Sequence, residues 1–555
     1  MQFFEKIISV LTAFFIFLSS ATGNLFCGKS TAYFTADTQS QGKIIGNVVS
    51  NLNTWDMGTM FYTPVANEDY NVFEFVEYIQ LMQCSGGTAE RDLFVDPLDT
   101  TVLDDYDFSR LIKNCAGILS LGAKPHLKLG GVPLKYTSGY EFGGFGMNIY
   151  PPDDFNVYYN YIYALAEALV LEFGKEEVLS WRFGVMTEYE NADWFMAKSK
   201  DENDSAVAFC KLYDYTVQAL IDAIGEDIFV GAHSMTVTEG LWDEDIFIKH
   251  IAQGTNYANG KTGTRVCFLS ASFYDSTPED YTDGYTLPET INYLRKTAEN
   301  CGLEGLIYGI DEGRILSGIT SGKDSDELLS RTCGYTYQAA YDARLWMQCI
   351  ENDIDYFSSW GYLTDGILNG YPTVSYHVAK QINKFSGMKQ IEITDKKVMP
   401  AAFGAEVKAL AAYDEETDTV RIMAYSFKND IDYSKDAELK FDVAMPQYNG
   451  KEVTVTAYYV NDDCNFFDEW CEDRETYGIG DECFAWSPDD PCLDNTVTLS
   501  DPKAREIYEN ELRDKYIECS QLEPVTTTAT VTNGILTIED TIDGNSVVFY
   551  EITVK

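Results

Sequence analysis

The sequence has 555 residues and a formal net charge of −48, because Asp and Glu outnumber Lys and Arg by 88 to 40. A chain this acidic repels phosphate backbones and anionic lipids, which argues against nucleic acid and membrane surfaces as partners. Hydrophobic residues make up 45% of the chain and alternate with the acids, which argues against disorder. The length allows two to three domains, or one barrel with an accessory domain.

The first 23 residues have the pattern of a secretory signal peptide. Lys6 precedes a 12-residue apolar run over 7–18, and small residues at 21–23 provide a cleavage point before Asn24. The alternative is a membrane anchor, but the run is shorter than the roughly 20 residues that span a bilayer. We therefore expect a secreted, extracellular protein with no membrane association after cleavage.

Short apolar runs alternate with amphipathic helical patterns between residues 45 and 388. Patterns such as 158–173 and 206–224, each followed by a glycine, are typical of helices. Eight β-then-α units predict a (β/α)8 TIM barrel over 45–388, with a doubly wound open sheet as the alternative. The predicted strands cover 54–62, 79–85, 124–130, 180–186, 228–232, 266–274, 305–310 and 355–360.

The pattern changes to a period of two from residue 389 onward. Segments such as 407–427 and 546–555 alternate apolar and polar residues, which predicts a C-terminal β-sandwich over 389–555. An acidic insertion with a helical piece interrupts it at 462–519. Residues 24–44 contain no strong helical pattern, and we expect them to add strands to the sandwich.

All 13 cysteines follow the signal peptide, and five of them lie in the acidic insertion. In an exported protein, disulfide bonds that staple this insertion are the expected use. Zinc binding is the alternative, but the chain has no CxxC pair and only four histidines. The insertion cysteines are Cys464, Cys471, Cys483, Cys492 and Cys519.

Two glutamates lie where barrel strands are predicted to meet their following loops, which is where such barrels carry their active sites. Glu188 follows the fourth strand in SWRFGVMTEYENADWF (180–195), and Glu312 follows the seventh in GLIYGIDEGR (305–314). Glycoside hydrolysis uses two carboxyl groups, one to protonate the leaving oxygen and one to attack or activate water. Either glutamate alone has a plain alternative, for example an ion pair of Glu312 with Arg314, but their joint placement favours catalysis.

Four segments form a recognisable succession of motifs, namely LSLGAKPHLKLGGVP (119–133), EFGKEEVLSWRFGVMTEYENADWF (172–195), KLYDYTVQALIDAIGEDIFVGAHS (211–234) and YFSSWGYLTDG (356–366). This succession resembles glycoside hydrolase family 39, which contains β-xylosidases and α-L-iduronidase within a clan of retaining (β/α)8 glycosidases. The resemblance implies that Glu188 is the general acid/base and that Glu312 is the nucleophile. It also implies that Tyr274 hydrogen-bonds the nucleophile and that Trp360 forms the floor of the sugar subsite.

The sequence departs from the family pattern at positions that contact the sugar. Thr187 replaces the asparagine that holds the sugar 2-hydroxyl, and a sixth-strand histidine is replaced by Ser272. A second-strand histidine is replaced near Cys84. His233, after the fifth predicted strand, is a further candidate for substrate contact beside Thr187. These departures imply a different sugar or a loss of activity.

The sequence therefore predicts a secreted retaining glycoside hydrolase, similar to β-xylosidases, that cleaves plant or microbial oligo- or polysaccharides. Glu188 protonates the glycosidic oxygen, Glu312 attacks the anomeric carbon, and no metal or organic cofactor is expected. One alternative is a non-catalytic glycan-binding protein on a degenerate glycosidase barrel. Another is an endo-acting glycanase of the same clan.

Overall fold

The structure is a computed structural model that describes most of the chain from Ser30 onward. The described ranges are 30–54, 74–82, 84–235, 240–275, 286–315, 336–359, 373–399, 404–430, 433–485, 498–499 and 501–554.

A closed barrel of eight parallel strands forms the centre of the molecule, which confirms the predicted (β/α)8 fold. Each strand pairs with the next along the chain, and the last pairs with the first. After β1 (Ser30–Asp37), the barrel strands are β2 (Asn51–Thr54), β3 (Tyr78–Leu81), β4 (Lys124–Leu129), β5 (Arg182–Val185), β6 (Phe229–Ser234), β7 (Phe268–Asp275), β8 (Ile307–Ile315) and β9 (Tyr356–Ser359).

Helices surround the barrel, and their termini follow from local sequence. Asp154 caps one helix by accepting a hydrogen bond from the backbone N–H of Asn156, and Gly174 ends that helix with a φ of 86°. The helices are α1 (Ser109–Ser120), α2 (Phe155–Phe173), α3 (Lys175–Leu179), α4 (Glu202–Ala223), α5 (Asp245–Gln253), α6 (Leu287–Asn300), α7 (Tyr337–Glu351) and α8 (Val374–Asn383).

Two strand boundaries differ from the prediction for physical reasons. The first barrel strand starts at Asn51, three residues before the predicted 54–62, of which all but Thr54 lie outside the described residues. Asn51 and Asn53 are buried inside the barrel, so the strand lacks an apolar pattern. The seventh strand, β8, runs on to Ile315 rather than stopping at 310, so Glu312 lies within the strand.

Two mostly antiparallel sheets follow the barrel, as the sandwich prediction requires, and β1 joins one of them. Besides β1, the strands of these two sheets are β10 (Lys389–Gln390), β11 (Glu392–Met399), β12 (Glu406–Asp414), β13 (Thr419–Phe427), β14 (Ala437–Ala444), β15 (Glu452–Val460), β18 (Val525–Thr530), β19 (Ile535–Ile542) and β20 (Ser546–Val554). The sheet orders are β11-β1-β14-β19 and β10-β12-β13-β20-β15-β18. The short strands β16 (Phe484–Ala485) and β17 (Thr498–Leu499) pair with each other in a separate sheet. The sandwich contacts helix α7, where the Tyr337 hydroxyl donates to Asn429 Oδ1 at 2.6 Å.

The acidic insertion carries the helices α9 (Phe467–Tyr477), α10 (Pro502–Ile507) and α11 (Arg513–Cys519). Two of its five cysteines, Cys464 and Cys519, are free thiols, so the structure gives no disulfide at these two positions. Cys492 lies outside the described residues. The barrel thiols of Cys84, Cys115, Cys210, Cys267, Cys301 and Cys349 are also free. A disulfide staple elsewhere in the insertion stays a prediction.

Within the described residues, which do not include 1–29, no helix is both long and apolar enough to cross a bilayer. The same part of the chain contains no group of three or more His, Cys, Asp or Glu side chains arranged to hold a metal ion.

A buried ion pair lies in the middle of the barrel. The ammonium of Lys128 on β4 hydrogen-bonds Asp311 on β8, and both side chains are fully buried. Asp311 also accepts from Ser270 Oγ at 2.7 Å and from the Tyr356 hydroxyl at 2.6 Å. Burial alone would raise the pKa of Asp311, but the charge and hydrogen bond of Lys128, together with the nearby His126 and His233, outweigh burial and lower that pKa, so the carboxyl stays ionised.

Replacing Lys128 with methionine is expected to lower the free energy of unfolding by about 3–5 kcal/mol, because it leaves a buried carboxylate without its cation. Urea denaturation should show a lower midpoint at an unchanged slope. Lys249→Met is the control, because Lys249 pairs with Asp245 at the surface of α5, and its effect should stay below about 1 kcal/mol. Equal losses for the two variants would contradict this account.

Candidate active site

Glu188 lies in a tight turn directly after β5. Met186 and Glu188 both have positive φ angles, 64° and 43°, which non-glycine residues seldom adopt. The turn lies against the end of β4, where the Met186 N–H donates to the Leu129 carbonyl at 2.6 Å. A Cβ on Gly130 would lie 2.8 Å from the Met186 nitrogen, so only glycine permits this approach. Backbone strain of this kind concentrates at functional sites.

Three donors hold the carboxyl group of Glu188, which is only 3% exposed. Ser272 Oγ donates to Oε1 at 2.6 Å, while Trp194 Nε1 and Asn191 Nδ2 donate to Oε2 at 2.9 and 3.1 Å. Burial raises the pKa of Glu188, and the three hydrogen bonds act in the opposite direction. The carboxyl group is therefore fixed in place and holds its proton more tightly than an exposed glutamate.

A chain of hydrogen bonds extends from Glu188 through Ser272 to His233 and Thr187. His233 Nε2 lies 3.0 Å from Ser272 Oγ, and His233 Nδ1 lies 2.8 Å from Thr187 Oγ1. Burial lowers the pKa of His233 to about 3, so the ring is neutral. Since Ser272 gives its hydrogen to Glu188, Nε2 donates to Ser272 and Nδ1 accepts from Thr187. Each hydrogen bond of this network is therefore donated in the direction of the Glu188 carboxylate.

Glu312 faces the barrel interior because of a β-bulge in β8. Ala271 of β7 pairs with Ile310 and Ser272 pairs with Glu312, so Asp311 is an extra residue in the ladder. Its carbonyl oxygen instead accepts from Gln80 Nε2 at 2.9 Å and from Asn53 Nδ2 at 3.1 Å.

The bulge lets two consecutive carboxylates point inward, where regular alternation would turn one of them outward. Asp311 binds Lys128 in the middle of the barrel, and Glu312 Oε1 accepts from the Tyr274 hydroxyl at 2.6 Å nearer the mouth. The carboxylates of Asp311 and Glu312 both oppose the lowering effect of burial on the pKa of Lys128, which places this ammonium within electrostatic reach of Glu312. An ionised Glu312 is stabilised by both neighbours.

Ser272 brings the two glutamates to the same mouth of the barrel. Its hydroxyl binds Glu188, and its backbone is the register partner of Glu312. Register partners on neighbouring parallel strands lie about 4.8 Å apart and point their side chains to the same face. Both carboxyl groups therefore flank one space at the carboxyl end of the strands.

The structure brings together five of the six residues that the sequence singled out. Glu188, Thr187 and His233 form one network, and Tyr274 and Glu312 form another next to it. Trp360 lies outside the described residues.

His233 differs from the prediction in its position. It lies within β6 rather than after the strand, and it is fully buried. Both of its ring nitrogens are already bonded, one of them to Thr187. A contact of His233 or Thr187 with the sugar stays a prediction. Arg314, the suggested partner of Glu312, forms a buried pair with Asp342 at 2.8 Å.

Sequence reasoning missed three donors to Glu188. In the sequence, Ser272 stands out only as a replaced histidine. Its position near the end of β7, the sixth barrel strand, is the signal that its side chain lies at the mouth of the barrel. Asn191 and Trp194 lie three and six residues from Glu188 in a run of acids and aromatics. A turn after the strand brings both side chains back onto the carboxyl group, which spacing alone does not reveal.

A closed (β/α)8 barrel with a buried glutamate after the fourth strand and an inward glutamate on the seventh defines the class of barrel glycosidases. The chain belongs to the glycosyl hydrolases family 39, whose sequence pattern matches residues 97–470.

Among individual proteins, the chain is 30% identical over 124 residues to a β-xylosidase of Caldicellulosiruptor saccharolyticus, covering 22% of this chain and 23% of that protein. It is 25% identical over 141 residues to a β-xylosidase of Geobacillus stearothermophilus, covering 25% and 27%. The matched segments thus span about a quarter of the length of these curated relatives.

Solved structures share the fold over nearly the whole chain. A monomeric β-xylosidase from Caulobacter crescentus aligns with a TM-score of 0.63 at 15% identity, covering 94% of this chain and 99% of that one. A bacterial orthologue of human α-L-iduronidase aligns with a TM-score of 0.64 at 13% identity, covering 95% and 84%.

Proposed function

We propose that this protein is a secreted, retaining, β-xylosidase-like glycoside hydrolase acting on plant or microbial oligo- or polysaccharides. The observation that carries the proposal is the link through Ser272, which joins a buried glutamate to a second glutamate held by a tyrosine. A binding protein has no need for two carboxyl groups in such different surroundings. A hydrolase needs one group that keeps a proton and one that stays ionised.

The different surroundings of Glu188 and Glu312 support a different role for each in the reaction. Glu188, whose pKa burial raises, donates its proton to the glycosidic oxygen as the bond to the anomeric carbon breaks. Glu312, ionised beside Tyr274 and Lys128, attacks the anomeric carbon and forms the glycosyl ester. Glu188 then takes a proton from the water that hydrolyses the ester, which returns both groups to their initial states.

The hydrogen-bond chain suits a group that changes its protonation state twice in each cycle. When Glu188 is protonated, it donates to Ser272, and Ser272 can turn its hydrogen toward His233 Nε2. Neutral His233 then carries its hydrogen on Nδ1 and donates to Thr187. The Glu188 carboxyl group, the Ser272 hydroxyl and both His233 nitrogens therefore keep a partner in both states.

Replacing Ser272 with alanine is expected to move the alkaline limb of the pH profile of kcat/KM to higher pH. The Ser272 hydroxyl stabilises the ionised form of Glu188, so its removal raises the pKa of Glu188 further. The general acid then stays protonated to a higher pH. Ser270→Ala is the matched control, because Ser270 lies on the same face of β7 but binds Asp311. An alkaline limb that moves to lower pH, or equally in both variants, would contradict the assignment.

A panel of 4-nitrophenyl glycosides tests the function and the sugar. Support for the xyloside comes from the family and from the names of the two curated β-xylosidases. We expect release of nitrophenol from the β-D-xyloside and, by proton NMR, β-xylose as the first product. α-Xylose as the first product would overturn the retaining mechanism. If none of the glycosides is hydrolysed, the proposed hydrolase activity is overturned.

Export has its support in the pattern of residues 1–23 alone. Expression of the full gene product in a secreting host should yield mature protein in the medium that begins near Asn24. Retention of the intact chain in the cell would contradict export without affecting the catalytic proposal.

A further inference from the structure

A hairpin over residues 140–148, the aromatic hairpin, presents three exposed rings beside the acid/base glutamate. Tyr140, Phe142 and Phe145 are 43%, 49% and 53% exposed. In the described part of the chain, the only other aromatic rings exposed by more than about a third are those of Tyr257 and Tyr477, at 43% and 39%. Three of five such rings on nine residues mark a binding surface rather than scattered surface residues.

The aromatic hairpin is held in a fixed shape and tied to the turn that carries Glu188. Phe142 pairs with Asn148 across the hairpin, and the Gly146 N–H closes its turn onto the Gly143 carbonyl at 3.0 Å. Gly144 N–H donates to Asp193 Oδ1 at 3.2 Å. A Cβ on Gly143 would lie 2.0 Å from the Asp193 carbonyl oxygen, so this contact requires glycine. A ligand would thus meet rings that are already ordered.

Trp194 connects the aromatic hairpin directly to the acid/base group. Its indole N–H donates to Glu188 Oε2, and its ring stacks on Phe145 with centroids 4.3 Å apart and planes 11° apart. One face of Phe145 is therefore covered by Trp194, and its 53% exposure comes from the rest of the ring. Phe145 is separated from the Glu188 carboxyl group by a single indole ring.

The position beside the general acid determines what can lie on these rings. An acid that protonates the glycosidic oxygen touches the atom to which the leaving group is attached, so the leaving group lies on the Glu188 side of the mouth. A pyranose presents an apolar C–H face that packs on an aromatic ring, and it carries no charge for this acidic chain to repel. Phe and Tyr faces fit that ligand at a small cost in side-chain ordering.

We propose that the aromatic hairpin is the leaving-group subsite of this enzyme, with Phe145 stacking on the second sugar ring of an oligosaccharide and Phe142 and Tyr140 contacting sugars beyond it. The inference rests on the proposed glycosidase function. It assigns the enzyme an oligosaccharide substrate rather than glycosides of small alcohols. It also places substrate recognition on a segment outside the eight barrel strands.

Two substrates with the same transferred sugar test the subsite. For a xyloside-specific enzyme they are xylobiose, which has a leaving sugar, and β-D-xylopyranosyl fluoride, which has none. Phe145→Ala should lower kcat/KM for xylobiose by roughly fivefold more than for the fluoride, which corresponds to the loss of about 1 kcal/mol of stacking. Phe142→Ala should act in the same direction, with a larger effect on xylotetraose than on xylobiose. Tyr477→Ala, at the end of α9, removes another exposed ring, 39% open to solvent, and should leave the ratio of the two substrates unchanged.

The outcomes separate this proposal from the proposed function. Equal losses on both substrates for Phe145→Ala and Phe142→Ala would overturn the subsite while leaving the glycosidase intact. If the parent protein hydrolyses neither substrate, the function fails, and calorimetric titration with xylotetraose then decides the subsite. Binding that weakens in both variants would support it, and undiminished binding would overturn it. A parent dimer that Phe142→Ala converts to a monomer in sedimentation, with an unchanged substrate ratio, would assign the rings to self-association instead.

Discussion

Replacing Glu312 with glutamine is expected to lower kcat for aryl glycosides by at least about a thousandfold, as the loss of a covalent nucleophile does in other hydrolases. Glutamine keeps the volume of the side chain and can still accept the hydrogen bond from Tyr274. Its amide cannot form the glycosyl ester, so the first step of the reaction is lost. The measurement is steady-state hydrolysis of a 2,4-dinitrophenyl glycoside, whose leaving group needs no acid.

Azide distinguishes a lost nucleophile from a damaged fold. In the space left by a smaller side chain, such as in Glu312→Ala, azide should attack the anomeric carbon and give a glycosyl azide of inverted configuration. Glu299→Gln, on the exposed side of α6, is the matched control and should keep the parent activity. Parent-level activity in Glu312→Gln would remove Glu312 from the mechanism.

Replacing Glu188 with glutamine is expected to lower kcat/KM by about 10²–10⁴-fold for glycosides with poor leaving groups, the usual contribution of a general acid. The loss should be far smaller for 2,4-dinitrophenyl glycosides, because dinitrophenolate leaves without a proton. The fold should survive, since a glutamine amide can donate to Ser272 while its oxygen accepts from Trp194. The variant thus resembles the protonated acid in shape but has no proton to transfer.

A Brønsted series of aryl glycosides measures this difference. The slope of log kcat/KM against the pKa of the leaving phenol should be steep for Glu188→Gln and shallow for the parent. Azide should restore turnover of the activated substrate in Glu188→Ala and give an azide of retained configuration, opposite to the product from Glu312→Ala. A uniform loss across the series would show that Glu188 is not the general acid.

The sequence predicted the barrel because most of its strands bury apolar residues on the side away from the barrel interior. Trp181, Phe183 and Val185 are fully buried around β5, and such runs between amphipathic helices are legible without a structure. The first strand was misplaced because buried Asn51 and Asn53 interrupt that pattern. Their partners lie on distant strands, as Asn53 shows by donating to the Asp311 carbonyl 258 residues away.

The two glutamates could be located from the rule that barrel active sites lie at the ends of strands. Their supporting contacts could not, because these contacts depend on the register between neighbouring strands. The bulge that turns both Asp311 and Glu312 inward is visible only in the pairing of β7 with β8. In the sequence, Thr187 and Ser272 are visible only as departures from the family pattern. In the structure, both side chains hydrogen-bond His233 and belong to the network that holds Glu188.

The measurement that tests the account most directly is mass spectrometry of the protein after reaction with a 2,4-dinitrophenyl 2-deoxy-2-fluoro-β-D-xyloside. The fluorine slows hydrolysis of the glycosyl ester, so a retaining enzyme accumulates with its nucleophile esterified. We predict one fluorosugar per chain, on the peptide that contains Glu312, and no labelling of Glu312→Gln. A label on any other carboxylate, or turnover of the parent substrate without any label, would contradict the assignment of Glu312 and Glu188 to one retaining active site.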